Sequence, residues 1–256
     1  RAYNMNVESA MQQEDNHVPG EKWEFNEDVA KKFDSMLGRS IPHYQQMREL
    51  VFDLGKRFIA KDSWVVDLGA SRGESSAMFI NDSDIQANFI LTEISEPMLK
   101  EAKERFENMP SVHVMEYDLR KTAKEIQTEL FPDDRQTTLV LSILTMIFVP
   151  VNFRPSIVRG IYKGLEEGGA FFMVEKVLGN TASMQELLVD AYHEYKYKNG
   201  YSWESIERKR AALEGVQVPL THEANIDLLR NAGFTVVETF WRSLNFVGYL
   251  AIKDSE

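Results

Sequence analysis

Three acidic residues stand at the ends of apolar runs: Asp67 after Trp64-Val65-Val66, Glu93 after Asn88–Thr92, and Asp118 after Val112–Tyr117. Beside the first lies a glycine-rich stretch, Asp67-Leu68-Gly69-Ala70-Ser71-Arg72-Gly73. Gly69 and Gly73 let the backbone approach a ligand where a Cβ would clash, and the helix expected from Glu74 offers unpaired N–H groups to an anion. An ionised carboxylate accepts hydrogen bonds and cannot donate them. Glu93, 20 residues beyond Gly73, therefore suits a ribose diol, and Asp118 suits an adenine amino group with Leu119 packed beside the ring. Asp67 is too close to the turn to reach the ribose; it orients backbone N–H groups or holds a ligand ammonium. His193, in Tyr192-His193-Glu194-Tyr195, and His43, beside Tyr44, are candidate general bases near neutral pH. Ordinary packing is the competing reading for both. The five histidines show no metal-ligand spacing, so no metal is expected.

Positioning these groups needs strands that end in line. Strands are predicted at Trp64–Leu68, Asn88–Thr92, Val112–Tyr117, Thr138–Ile143 and Ala170–Glu175, alternating with helices. Near-continuous apolar strands in that rhythm imply a parallel sheet covered on both faces. Before it, Asn26 caps a helix that Gly38 ends, and Pro42 opens a second helix. After it, residues 182–214 read as two helices around Asn199-Gly200, then a helix over 223–231 and closing strands Phe234–Phe240 and Phe246–Ile252. The expected divisions are a flexible segment 1–22, an N-terminal helical cap 23–60, a nucleotide-binding core 61–175, a helical insertion 176–222, and a closing unit 223–256.

Composition excludes several classes. No cysteine is present, so there is no disulfide framework, zinc–thiolate site or cysteine nucleophile. A net charge of −11 opposes a broad nucleic-acid footprint, and direct nucleic-acid binding is not expected. No apolar run reaches the about 18 residues of a membrane span, and residues 1–22 are polar without a signal-peptide pattern; a cytoplasmic protein is expected. Apolar residues in the terminal and insertion helices allow a homodimer.

The turn Gly69-Ala70-Ser71-Arg72-Gly73, with Asp67 before it, resembles motif I of class I methyltransferases, which holds S-adenosylmethionine, with Ser71 in place of the middle glycine. The likeness narrows to the carboxy-S-adenosylmethionine synthases, which serve tRNA wobble-uridine modification. It rests on Phe25-Asn26-Glu27-Asp28-Val29-Ala30, Arg39-Ser40-Ile41-Pro42-His43-Tyr44, Glu175-Lys176, Asn199-Gly200-Tyr201-Ser202, Lys209-Arg210, Leu213-Glu214 and Asn245-Phe246. The resemblance implies a Rossmann-like α/β fold: a seven-stranded, mostly parallel sheet with helices on both faces, N-terminal helices, and a helical insertion before the last two strands.

It also implies S-adenosyl-L-methionine, S-adenosylhomocysteine or carboxy-S-adenosylmethionine as ligand. Gly69, Ser71, Glu93, Ile94, Asp118 and Leu119 would line the adenosyl pocket, Tyr44 would close over the cofactor, and Arg210 would grip a carboxylate. The chain departs from the synthases at Ile94, where they carry Asn and Ile can only pack, and at Ser142, where Asn borders the reactive methyl. Three activities follow: a methyltransferase acting on a small molecule; a carboxy-S-adenosylmethionine synthase with prephenate as carboxyl donor; or a non-catalytic binder of the cofactor.

Overall fold

The computed structural model describes residues 22–254, so the expected flexible segment 1–22 lies, apart from Lys22, outside the described residues. Eight strands form one sheet in the order β3-β2-β1-β4-β5-β8-β7, with β6 joined to β5 off this path. The parallel strands are β1 (Trp64–Leu68), β2 (Asn88–Glu93), β3 (Val112–Glu116), β4 (Thr137–Ile143) and β5 (Ala170–Leu178). The two-residue β6 (Leu220–Thr221) runs parallel to the end of β5, while β8 (Phe246–Ile252) runs antiparallel to both β5 and β7 (Val236–Ser243). The expected seven strands are thus present, with a short eighth that the sequence pattern is too brief to reveal.

Strand order reverses between β1 and β4, and the crevice of such a sheet opens above that point. Burial explains why these runs are strands: four of the five residues of β1, five of the seven of β4 and seven of the nine of β5 are buried. One face packs Val66, Val140, Phe171 and Tyr249 under α5 (Ala123–Leu130), α6 (Arg154–Gly164) and α9 (His222–Ala232). The other packs Val65, Leu139, Phe172 and Phe79 under α2 (Tyr44–Gly55) and α3 (Glu74–Ile80).

The cap begins with α1 (Glu27–Ser40), whose N-cap Asn26 accepts from the Val29 amide. The helix runs through Gly38 rather than ending there. It stops at Ile41, whose extended backbone (φ −109°, ψ 117°) is what a residue before proline prefers. The cap closes over the crevice by packing Trp23, Val29, Phe33 and Met36 on Met98 of α4 (Glu96–Arg105) and Ala212 of α8 (Trp203–Leu213). The Trp23 amide donates to the Ala212 carbonyl at 2.9 Å, and Ser95 Oγ donates to the Phe25 carbonyl at 2.6 Å. The other insertion helix is α7 (Ala182–Lys198). Among the described residues, no helix is long and apolar enough to cross a membrane.

Candidate functional site

The glycine turn is shaped by three left-handed residues, Gly69 (φ 61°), Ser71 (φ 53°) and Gly73 (φ 81°). A Cβ on Gly69 would stand 2.3 Å from Thr145 Cγ2, so only glycine fits. Thr145 earns this closeness by donating its hydroxyl to the Leu68 carbonyl at 2.9 Å, which ties the end of β4 to the turn. Gly73 caps α3 and lies against Phe106, beneath the turn.

The three acids are not level. β1 pairs Asp67 with Leu91, and β2 pairs Glu93 with Glu116, so Glu93 stands two residues farther out than Asp67 and Asp118 two farther again. Exposure follows this staircase: Asp67 and Glu93 are buried and Asp118 is open. Gly69, Ser71, Phe25, Leu144 and Phe148 border two adjoining cavities. An outer lobe reaches Glu93, Ile94, Asp118, Leu119 and Arg120. An inner lobe reaches Asp67, Ala70, Glu74, Tyr44, Tyr192, Lys209 and Gln217.

The outer acids are already partnered. Glu93 accepts from the amides of Ser71 (2.8 Å), Ile94 (2.8 Å) and Ser95 (2.9 Å). A carboxylate offers about four acceptor positions, so one remains for a ribose hydroxyl instead of the expected two. Asp118 is clasped by the Arg120 guanidinium, with Nη2 to Oδ2 at 2.6 Å, which holds its carboxyl below the ordinary range. It therefore presents a neutralised pair to the lobe rather than a free acceptor for an amino group.

The inner acids are different. Ser76 Oγ donates to Asp67 at 2.6 Å, yet burial, aided by Glu74 and Glu93, pushes Asp67 up to about 7. Burial, with the charge of Asp34, also pushes Glu74 up to about 7. Its Oε1 has no hydrogen-bond partner among the described residues, with Arg72 and Arg105 no nearer than 3.8 Å. Burial raises the Tyr44 hydroxyl above the usual phenol range.

Five expected residues border neither lobe: Gly73, beneath the turn, and four others. Ser142 is fully enclosed in β4, its hydroxyl without a hydrogen-bond partner among the described residues, and borders neither lobe; strand alternation turns it into the sheet's far face while Ile143 and Leu144 meet the cavity. Arg210 is exposed and bound to Glu207 at 3.0 Å, whereas the preceding Lys209 faces the inner lobe and stands over the Trp23 ring. One residue along a helix is a turn of about 100°, which separates the two cations. His193 borders neither lobe; burial and Lys196 lower its pKa. His43 lines a separate surface groove with Tyr44, its Nδ1 2.8 Å from Ser243 Oγ.

Sequence reasoning passed over Glu74, Thr145, Gln217 and Leu144. An acid directly after the glycine turn was the available sign for Glu74. Leu144 carried none: its φ of 56° is a strained conformation imposed by the segment's tertiary setting.

A family model described as a methyltransferase domain matches residues 65–169. The carboxy-S-adenosyl-L-methionine synthase of Nautilia profundicola is 32% identical over 240 residues, 91% of this chain and 95% of that protein. The synthase of Methylococcus capsulatus is 32% identical over 231 residues, 90% of this chain and 93% of that protein. Among solved structures, an O-methyltransferase family protein from Burkholderia thailandensis superposes with a TM-score of 0.63 at 14% identity, covering 99% of this chain and 69% of that one. The Haemonchus contortus phosphoethanolamine N-methyltransferase 2, solved with S-adenosyl-L-methionine, superposes with a TM-score of 0.60 at 13% identity, covering 90% and 58%. These structures share the fold.

Proposed function

The chain belongs to the carboxy-S-adenosyl-L-methionine synthase family, and on that premise we propose that it binds S-adenosylmethionine and acts as a transferase producing carboxy-S-adenosylmethionine. The observation that carries the reading is the two-lobed crevice joined at Gly69 and Ser71, on a turn that Thr145 holds too closely for a Cβ at Gly69. The adenosyl half suits the outer lobe: Glu93 holds one acceptor position for the ribose, and Leu119 and Ile94 supply apolar contact for the base. The cationic half suits the inner lobe, where Asp67 and Glu74 pay a desolvation penalty that a nearby positive charge offsets. When bound, the cofactor supplies a carbon activated by its sulfonium.

The chain's own residues then align and shield. Tyr44 and Ile41 from the cap, Tyr192 and Leu213 from the insertion, and Phe246 from β8 enclose the inner lobe and keep water from the reacting groups. Lys209 borders the same lobe as Asp67 and Glu74, so the lobe carries charge of both signs. That arrangement suits a product bearing a cation and a carboxylate together. Prephenate is the carboxyl donor that the family relationship suggests.

A second reading, methyl transfer to a small acceptor, is favoured by the placement of Arg210, which is held by Glu207 away from the lobe. Incubating the purified protein with S-adenosylmethionine and prephenate, then reading the products by mass spectrometry, separates the two. Carboxylated sulfonium is expected. Its absence, with cofactor still bound, discards the synthase reading in favour of methyl transfer; absence of cofactor binding discards both.

A further inference from the structure

Arg154 is among the largest fully buried side chains, at 2% exposure. Its guanidinium serves backbone carbonyls: Nε donates to Val149 O at 2.9 Å, and Nη2 donates to Val218 O at 2.7 Å and to Ile147 O at 3.3 Å. The Val218 amide in turn donates to Ile147 O at 2.8 Å. One guanidinium and one backbone bond therefore join two segments far apart in sequence. The first carries Ile147 into the inner lobe, Val149 into the outer and Phe148 into both. The second follows α8 and carries Gln217 into the inner lobe and Val216 into the outer. Glu175 of β5, 1% exposed, braces the first segment from below by accepting from the Met146 amide at 3.1 Å.

We propose that Arg154, with Glu175, is a positioning residue that sets the spacing between the β4 side of the crevice and the wall formed by α8. The energetics argue for a role beyond packing. Burying a guanidinium costs several kcal/mol, and an apolar side chain of similar volume often stabilises more. What an apolar residue cannot supply is a set of charge-assisted bonds to carbonyls on both loops at once. The 146–148 segment is a single 3-10 turn and residues 216–218 belong to no helix or strand, so neither holds its own register. A reaction that needs an in-line approach loses about a hundredfold for a misplacement of about 1 Å. Arg154 thus controls alignment without touching the ligand.

This inference rests on the transferase reading for its kinetic arm alone. The test compares wild type with Arg154→Met and Arg154→Lys by amide hydrogen exchange, S-adenosylhomocysteine titration and turnover. For Arg154→Met, exchange at the Val218 amide rises at least about tenfold while the amides of β1 and β4 keep their protection. Turnover falls at least about tenfold, with KM for S-adenosylmethionine changing less than about threefold. Arg154→Lys, which keeps the charge but not the fork, moves both readouts in the same direction by less, and it decides the matter if the Met variant does not fold. Unchanged exchange at Val218 in a folded variant, or unchanged turnover despite faster exchange, overturns the proposal. A wild type that turns nothing over instead overturns the transferase reading and leaves the exchange result to be judged by itself.

Discussion

In the outer lobe, Glu93 is met by three backbone amides and Asp118 by Arg120; in the inner lobe, Asp67 meets one hydroxyl and Glu74 presents a buried oxygen with no hydrogen-bond partner among the described residues, Arg72 and Arg105 standing 3.8 Å from it. The two lobes share a wall, yet they stand in opposite electrostatic conditions. The outer acids are largely satisfied by the protein itself, so on the proposed reading that lobe recognises by shape and one remaining acceptor position. The inner acids are desolvated at a cost that burial imposes and that a ligand's positive charge relieves. Recognition is prepared in one place and electrostatic tension is stored in the other.

The sharpest way to break this contrast is to remove the shared wall. Gly69→Val places a side chain against Thr145 and forces a branched residue into a left-handed backbone. The strain and overlap together cost about 2 to 3 kcal/mol or more in the native turn, and the shift of the turn that relieves them is expected to weaken binding by up to about a hundredfold. S-adenosylhomocysteine titration is expected to show that loss, and retained affinity counts against the turn as the ligand cradle.

A second test sets the lobes against each other through pH. Asp67 titrates at about 7 in the folded chain, above its unfolded value of 3.8, so the native state binds the extra proton. The stability it contributes is complete below the unfolded value and is lost as pH rises through about 7. Asp67→Asn should flatten the decline in stability over that window, by at most about 1.4 kcal/mol per pH unit. Binding of S-adenosylmethionine should tighten as pH rises through about 7 in wild type and lose part of that dependence in the variant, Glu74 keeping the rest, while adenosine, which the proposed reading confines to the outer lobe, should bind with little pH dependence. Isothermal titration at several pH values checks both, and equal pH dependence for the two ligands would erase the contrast.

The smallest effect is expected at Asp118→Asn. Its ion pair with Arg120 is solvent-exposed, and exposed pairs contribute little. Melting temperature should stay within about 2 °C and adenosine affinity within about threefold. A large loss would mean that Asp118 turns from Arg120 to grip the base directly.

Much of the frame is legible in the sequence. Trp64–Leu68 and Phe246–Ile252 read correctly to the residue, because apolar runs bounded by turn formers report their own limits. Gly38 misled because glycine within a helix is tolerated when its neighbours pack, and Pro42 was the true stop. The acids were legible as strand ends but not as a staircase, since their heights depend on register between strands. Arg210 and Lys209 are adjacent in sequence, and no motif distinguishes which one the helix turns inward.

What the chain determined alone was the local grammar: strand, glycine bend, helix, and acids at strand tips, each set by backbone sterics and side-chain periodicity over a few residues. What folding decided was the electrical state of those groups. Glu93 finds an amide on Ser71, 22 positions away, and Arg154 reaches the Val218 carbonyl across 64. Burial and partnership are properties of the packed whole, and they decide which acids recognise and which wait for a charge.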